Sequence, residues 1–446
     1  MKLGLYLEFP QAMRLLASIC CLFCLMLAMA YCTCDVHKGW GPSSIPQYSG
    51  YVDIQRPSSD TIHLFYWMFD ASNRTDAPLL VWFNGGPGCS SLMGLFEEGL
   101  GPFMMNETDG SVYTSPHPWT DLGTVLFIDQ PVGTGFSYGD VTDFDTHETQ
   151  VAEDMLQFFQ SLYQCFPWLK EKPLFLLGES FAGRYIPAIT HRLLLEDEWL
   201  QRLRGIAIGD GWVAPLQQYL SYPHYAAANN LISKDTAQSM LHLYYNACVP
   251  LLAQETAAPW LEVEAICGSL LEGVLLEHPG MNPYDITSKC EGTLCYPSEH
   301  LTQLLNRAEV RASLGVPSTA RAWEECRDDV FVGMSWFANG NKSSLPDLSF
   351  ILNMSAAHIL IYEGTNDLLC NWMAALDWSQ QIHWDGRASF QQAQWKKEFP
   401  AHGLKTKAYD RVQLTLVENA GHEVPRNQPV AAHAMMAAFI KSTLSD

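Results

Sequence analysis

The sequence predicts an α/β protein: a central, mostly parallel sheet with helices on both faces and a helical cap inserted into it. Three observations carry that expectation. Short apolar β-type runs alternate with helical patterns along most of the chain. Several of these runs end in turns rich in Gly, Asn, Asp or Ser. Between about Leu216 and Leu305 strand signals fade and helical stretches dominate, as in an insertion.

Leu79-Leu80-Val81-Trp82-Phe83 reads as a buried strand ending in the turn Asn84-Gly85-Gly86-Pro87-Gly88. Thr124–Ile128 is a second strand, followed by Asp129-Gln130-Pro131, and Leu174–Leu177 a third, running into Gly178-Glu179-Ser180. Ile206–Ile208, Ile359–Tyr362 and Leu414–Val417 complete the set. Ligands of open α/β sheets bind beyond the carboxyl ends of strands, so function is expected in these turns. The core is expected over Tyr31–Pro215 and Arg321–Asp446, with the cap at 216–320 between them. Within the cap Cys248, Cys267, Cys290 and Cys295 cluster. Nested bridges, Cys248–Cys295 around Cys267–Cys290, are the expectation, although four cysteines allow three pairings.

A chain of 446 residues with 48% hydrophobic content is globular and can bury a large core without relying on disulfides. Its formal net charge of −22 argues against nucleic acid, which needs a basic face. Acidity suits an acidic compartment, where carboxylates partly discharge, and equally suits plain solubility. At the N-terminus Arg14 precedes the apolar run Leu15–Ala30, which closes in Ala28-Met29-Ala30. Residues 1–30 therefore read as a signal peptide. That run is short for a bilayer core of about 30 Å, and no other stretch is long and apolar enough to span, so no stable membrane insertion is expected after cleavage. Sequons begin at Asn73, Asn106, Asn341 and Asn353, as in a glycosylated lumenal protein. The expected location is the secretory pathway, leading to a lysosome or vacuole or to the exterior. None of the cysteines beyond the signal and the new N-terminus has zinc-ribbon spacing, so no metal is expected.

The chemistry is expected at Ser180. Gly178-Glu179-Ser180-Phe181-Ala182-Gly183 follows a strand and precedes a helix-capable stretch, the setting of a nucleophile elbow, with Ala182 where the last Gly of G-x-S-x-G would stand. Asp367 lies just past the strand Ile359–Tyr362, and His422 just past Leu414–Val417. The order Ser, Asp, His is that of α/β-hydrolases. The chemistry needs all three types, since His takes the Ser proton while Asp fixes the His tautomer and stabilises the imidazolium.

Longer motifs carry a resemblance. Trp82–Ser91, Asp129–Tyr138, Gly178–Tyr185, Asn366–Trp372 and Gly421–Pro425 resemble, in that order, the signature segments of the serine carboxypeptidase family, and the likeness runs from about Gly50 to the C-terminus. The resemblance implies a carboxypeptidase that acts on the C-termini of peptides and proteins in mild acid, with Ser180, Asp367 and His422 as triad and no cofactor. It implies an oxyanion hole from the backbone N–H groups of Gly86 and Phe181. It implies that Asn84, the Gly85 N–H, Glu98 and Glu179 grip the substrate carboxylate. Anionic glutamates would repel that group, so at least one must be protonated, and two carboxyls sharing a site raise one pKa. The segment Phe96–Pro102 is one residue longer than the family's usual form, leaving Glu97 as the alternative to Glu98. Glu423 is implied in the pocket for the departing residue, with tolerance of Lys and Arg there. Cys89 is expected to pair with Cys326, Cys370 to be a free thiol beside the site, and Cys165 a buried, inert thiol. The competing readings are an acyltransferase on the same scaffold, an esterase or lipase, and a protective or binding partner protein.

Overall fold

The computed structural model describes residues 36–56, 61–71, 77–254, 260–292, 294–337, 341–398 and 402–445. The signal segment 1–30 and Asn73 lie outside them. Ten strands form one sheet. In chain order they are β1 (Gln47–Ile54), β2 (Ile62–Phe69), β3 (Leu79–Phe83), β4 (Thr124–Ile128), β5 (Leu174–Glu179), β6 (Leu203–Gly209), β7 (His358–Gly364), β8 (Lys396–Glu398), β9 (Leu404–Tyr409) and β10 (Val412–Val417). Their spatial order is β1-β2-β4-β3-β5-β6-β7-β10-β9-β8. The six strands from β4 to β10 run parallel, and an antiparallel pair flanks them at each edge.

Strand β3 is apolar at every position, and its parallel neighbours are apolar along most of their length, because both faces are covered. Leu79, Val81 and Phe83 point into one core with Leu174, Leu176, Ile206 and Ile208, while Leu80 and Trp82 point into the other with Phe175, Leu177 and Ala207. Helices Glu148–Cys165 and Ala182–Leu194 cover the first face. Helix Pro429–Ser445 covers the second together with Leu301, Leu304 and Leu314 of the chain between β6 and β7. Register aligns the carboxyl ends: Phe83 lies opposite Gly178, Glu179 opposite Gly209, and Gly364 opposite Val417. The segments that begin at Asn84, Asp129, Ser180, Asp210, Thr365 and Glu418 therefore all leave the sheet at one rim.

Among the described residues the long excursion from Asp210 to Ala357 contributes no strand to this sheet; it holds helices and the two-stranded hairpin Met281–Asn282 with Asp285–Lys289. Its cysteines correct the nested expectation, pairing Cys248 with Cys267 and Cys290 with Cys295. The reason is local packing. The helical turns Tyr244–Cys248 and Glu264–Gly268 lie against each other, whereas Cys290 and Cys295 close a tight loop behind the hairpin, with Cys295 at φ +61°. Cys165 is also corrected: it is half-buried and disulfide-bonded, not a free thiol. Cys89 pairs with Cys326 across an isolated β-bridge, and Cys370 is a buried free thiol. Of the described sequons Asn353 is exposed, while Asn106 and Asn341 are half-buried. No helix among the described residues is long and apolar enough to cross a membrane.

Candidate active site

Strand β5 delivers Ser180 in a left-handed conformation, φ +59°, which an L-residue adopts only when the surroundings enforce it. The enforcement is visible. Ser180 N–H donates to Gly209 O at 3.0 Å, and its carbonyl accepts from Gly183 N and Trp212 N, both at 2.9 Å. A Cβ on Gly178 would stand 2.2 Å from the Phe83 carbonyl, which explains the first Gly of the elbow. The close approach expected of the last Gly falls one residue later. A Cβ on Gly183 would come within 3.0 Å of the Trp212 backbone, so Ala182 is accommodated.

Asp367 is fully buried. Its Oδ1 accepts from Leu369 N at 2.8 Å, and its Oδ2 accepts from His422 Nδ1 at 2.7 Å and from Cys370 N at 3.2 Å. With Nδ1 donating to Asp367, Nε2 of His422 is the nitrogen left to act as a base. The hairpin of the insertion holds both loops. Pro283 O accepts from Leu368 N and Leu369 N, Tyr284 O accepts from His422 N at 2.8 Å, and the Tyr284 ring meets the imidazole edge-on at 5.0 Å. Nothing in the sequence points to Pro283 or Tyr284, because their contacts span more than eighty residues of chain. The donor atoms of Asp367, Cys370 and His422 lie within 4.8 Å of one another, but the Asp367 oxygens are already engaged by three N–H donors.

A cleft of about 280 Å³ opens at Ser180 and is lined by Asn84, Gly85, Gly86, Glu179, His422 and Glu423. Among the described residues neither the Gly86 nor the Phe181 N–H donates to a backbone carbonyl. The chain at Gly85 passes so close to Phe181 that a Cβ there would stand 2.5 Å from its nitrogen. Only Gly allows this approach, and it sets the two free donors side by side.

The orientation of Asn84 follows from its partners. Its Oδ1 accepts from Trp82 Nε1 at 2.7 Å and from Gly94 N at 3.2 Å, so its Nδ2 must face Glu179 Oε1, 3.0 Å away. Glu98 faces Glu179 and Asn84, and no hydrogen bond of regular geometry reaches either of its oxygens. Burial pushes both carboxyls well above the ordinary range; the Glu98 charge pushes Glu179 further, and that of Glu423 acts on both. Both carboxyls are held above the ordinary range and face each other, so the pair favours keeping a proton between them. Glu97 is also buried, but its charged neighbours are Glu423, Arg426 and Glu325. It is thus Glu98 that the fold sets beside Asn84 and Glu179.

Glu423 is buried and paired with Arg426 at 2.7 Å; Arg426 in turn reaches Glu107 at 2.6 Å and lies over the Tyr296 ring at 4.4 Å. Cys370 lines a second cavity that also opens at Ser180. Burial and the Asp367 charge raise its thiol well above the usual range, which leaves it a poor nucleophile beside Ser180.

Comparison with known proteins agrees with this geometry. Residues 39–442 match the sequence profile of the serine carboxypeptidase family. Serine carboxypeptidase-like 49 of Arabidopsis thaliana is 34% identical over 91% of this chain and 79% of the relative. A vacuolar serine-type carboxypeptidase of Saccharomyces cerevisiae is 31% identical over 90% of this chain and 80% of the relative. The solved structure of a prohormone-processing carboxypeptidase from Saccharomyces cerevisiae superposes with a TM-score of 0.74 at 24% identity, covering 89% of this chain and 92% of the other, which speaks to the fold. With an α/β-hydrolase sheet, a Ser at its elbow and a family profile matched nearly end to end, this chain belongs to the serine carboxypeptidases and is a serine-type hydrolase.

Proposed function

We propose that this chain releases C-terminal residues from peptides and proteins through an acyl-enzyme on Ser180, with Asp367 and His422 completing the triad. His422 Nε2 takes the Ser180 proton as Oγ attacks the last peptide carbonyl, and Asp367 stabilises the imidazolium. The Gly86 and Phe181 N–H groups receive the oxyanion, each such donor being worth roughly 10²–10³ in rate. The imidazolium then protonates the departing amine, and water deacylates the enzyme with His422 again as base. No cofactor enters these steps.

The observation that carries the reading is a juxtaposition. Glu179, directly before the nucleophile Ser180 in the chain, lines the cleft together with Asn84, and Glu98 faces both from the protein side. A protonated member of the Glu98–Glu179 pair donates to a carboxylate, and a doubly ionised pair repels it. Because both carboxyls are held above their ordinary range, the grip persists in mild acid and is lost as pH rises through the raised values. Glu423 and Asp328 line the same cleft, which favours tolerance of Lys and Arg as departing residues; the Arg426 pairing of Glu423 keeps this from becoming strict selection. The disulfides Cys89–Cys326, Cys248–Cys267 and Cys290–Cys295, together with the bonded Cys165, suit an oxidising route through the secretory pathway toward a vacuole, lysosome or exterior.

The deciding experiment compares N-blocked dipeptides bearing free or amidated C-termini from pH 4 to 8, beside Ser180→Ala. Release of the terminal residue from the free acids alone, with KM rising toward neutral pH and no release by Ser180→Ala, is the expected result. Leaving groups of Leu, Lys and Arg are expected to be accepted and Asp rejected. Ester turnover without any release from free-acid dipeptides would move the assignment to an esterase or acyltransferase.

A further inference from the structure

Two cavities open from Ser180. They share Gly86, Pro87, Tyr284, Phe331 and Leu369 and then part. One holds Asn84, Glu179 and Glu423; the other, about 190 Å³, has none of these, so on the reading proposed above it receives the acyl side of the substrate. Its walls are aromatic. Phe181 stands at the elbow, and Trp212, Tyr219 and Tyr222 follow edge to face, with centroids at 5.3 and 5.9 Å. Such walls alone would suit any large apolar side chain.

One carboxyl breaks the pattern. Glu264 lines this cavity from the insertion, in the helical turn Glu264–Gly268 that the Cys248–Cys267 bridge ties to its neighbour. The fold makes room for it: a Cβ on Gly268 would stand 2.3 Å from Glu264 Oε1. Tyr219 donates its hydroxyl to Glu264 Oε2 at 3.3 Å and fills one acceptor site. The neighbouring phenols are committed elsewhere, Tyr222 to Leu369 O at 3.0 Å and Tyr225 to Thr365 O at 2.7 Å. No Lys, Arg or His lines the cavity among the described residues. An acceptor at the edge of an aromatic channel, with lone pairs unclaimed, fits a long apolar stem that ends in a cation.

We propose that Glu264 selects a Lys or Arg as the penultimate residue of the substrate, the one whose carbonyl Ser180 attacks. The methylene stem packs on Trp212 and Tyr219, and the ammonium or guanidinium donates to the Glu264 carboxylate. This selection rests on the carboxypeptidase reading for its biological meaning but is separable from it, because the acyl side can be probed with substrates that have no C-terminal residue.

The test uses N-blocked methyl esters of Lys, Arg, Phe and Glu, which need Ser180 and the acyl-side cavity but not the carboxylate grip. The full-length enzyme is expected to turn over the Lys and Arg esters at least as well as Phe, and Glu poorly. Glu264→Gln is expected to lower the Lys-to-Phe ratio of kcat/KM by about tenfold, the worth of one charge-assisted hydrogen bond. Glu264→Lys is expected to reverse the order of Lys and Glu. A Lys-to-Phe ratio that stays the same in both variants overturns the proposal, as does equal rejection of Lys and Glu by the unaltered enzyme. Failure of the carboxypeptidase reading would look different: free-acid dipeptides would remain intact while the ester ratios still followed residue 264.

Discussion

Two pairs of buried carboxyls lie near Ser180, Asp367 and His422, built from the same chemistry but differing in access to the cleft. Glu179 borders the cleft with the Asn84 amide aimed at it, and Glu98 faces both from behind. Asp210 and Glu363, at the carboxyl ends of β6 and β7, are fully buried and line no cavity at Ser180. Asp210 Oδ1 accepts from Gly364 N at 2.8 Å, its Oδ2 has no partner, and neither Glu363 oxygen receives a hydrogen bond of regular geometry. In all four groups burial is the leading cause of a raised pKa; the charge of Glu363 then acts on Asp210, and that of Asp367 on both. The difference teaches that a shared proton is a binding device only where a ligand can reach it. Beside Asp367, where no ligand reaches, a raised carboxyl is expected to act on stability instead.

The comparison can be broken by mutation. Removing both front carboxyls, Glu98→Ala with Glu179→Ala, is expected to raise KM for free-acid dipeptides roughly 10–100-fold while N-blocked esters lose far less, because one or two hydrogen bonds to a charged group disappear. Steady-state kinetics on the two substrate classes reads this directly. The back pair should leave that ratio alone and change the pH dependence of unfolding instead. Its raised pKa values stabilise the fold at pH below the ordinary carboxyl range, and that contribution is lost as pH rises through the raised values. Asp210→Asn keeps an acceptor for Gly364 N–H and offers Glu363 a donor. It is expected to stabilise the protein by about 1–2 kcal/mol at pH 7 and not at pH 4, which denaturant titration at both pH values would show. The smallest effect sharpens the boundary between the pairs. The Tyr362 hydroxyl is buried without a partner and feels the charges of all four carboxyls. If it links nothing, Tyr362→Phe changes stability by less than about 0.5 kcal/mol; a loss of several times that would mean that the two pairs form one network.

Much of the frame is legible in the sequence because the central strands are fully buried and so read as unbroken apolar runs. Leu79–Phe83 and Thr124–Ile128 have the same bounds in sequence and structure. The edge strands β1, β8 and β9 do not stand out, since sequences such as Gln47–Ile54 and Lys396–Glu398 mix polar and apolar residues or are polar throughout; β2, apolar but for His63 and almost wholly buried, is a run that the expected set leaves out. Ser180, Asp367 and His422 can be proposed because each follows a strand; that Asp367 and His422 meet is visible only in three dimensions. Asp210 and Glu363 are hidden for opposite reasons. Asp210 sits between glycines and resembles any polar turn, whereas Glu363 has the pattern of an outward-facing residue at a strand end. Glu264 is hidden because its partners Tyr219 and Trp212 lie more than forty residues away. The bridges of the insertion differ from expectation because cysteine spacing says nothing about which helical turns pack together.

The left-handed backbone at Ser180 sets the chemistry of the site against the thermodynamics of the chain. That conformation is disfavoured for an L-residue by roughly 1–2 kcal/mol and is free of penalty for Gly. Replacing the nucleophile by Gly would therefore relax the fold while ending catalysis. Under mutation alone the sequence would drift toward a more stable and inert relative. A Ser that persists at this position is a mark of selection for turnover, acting against the direction in which folding stability points.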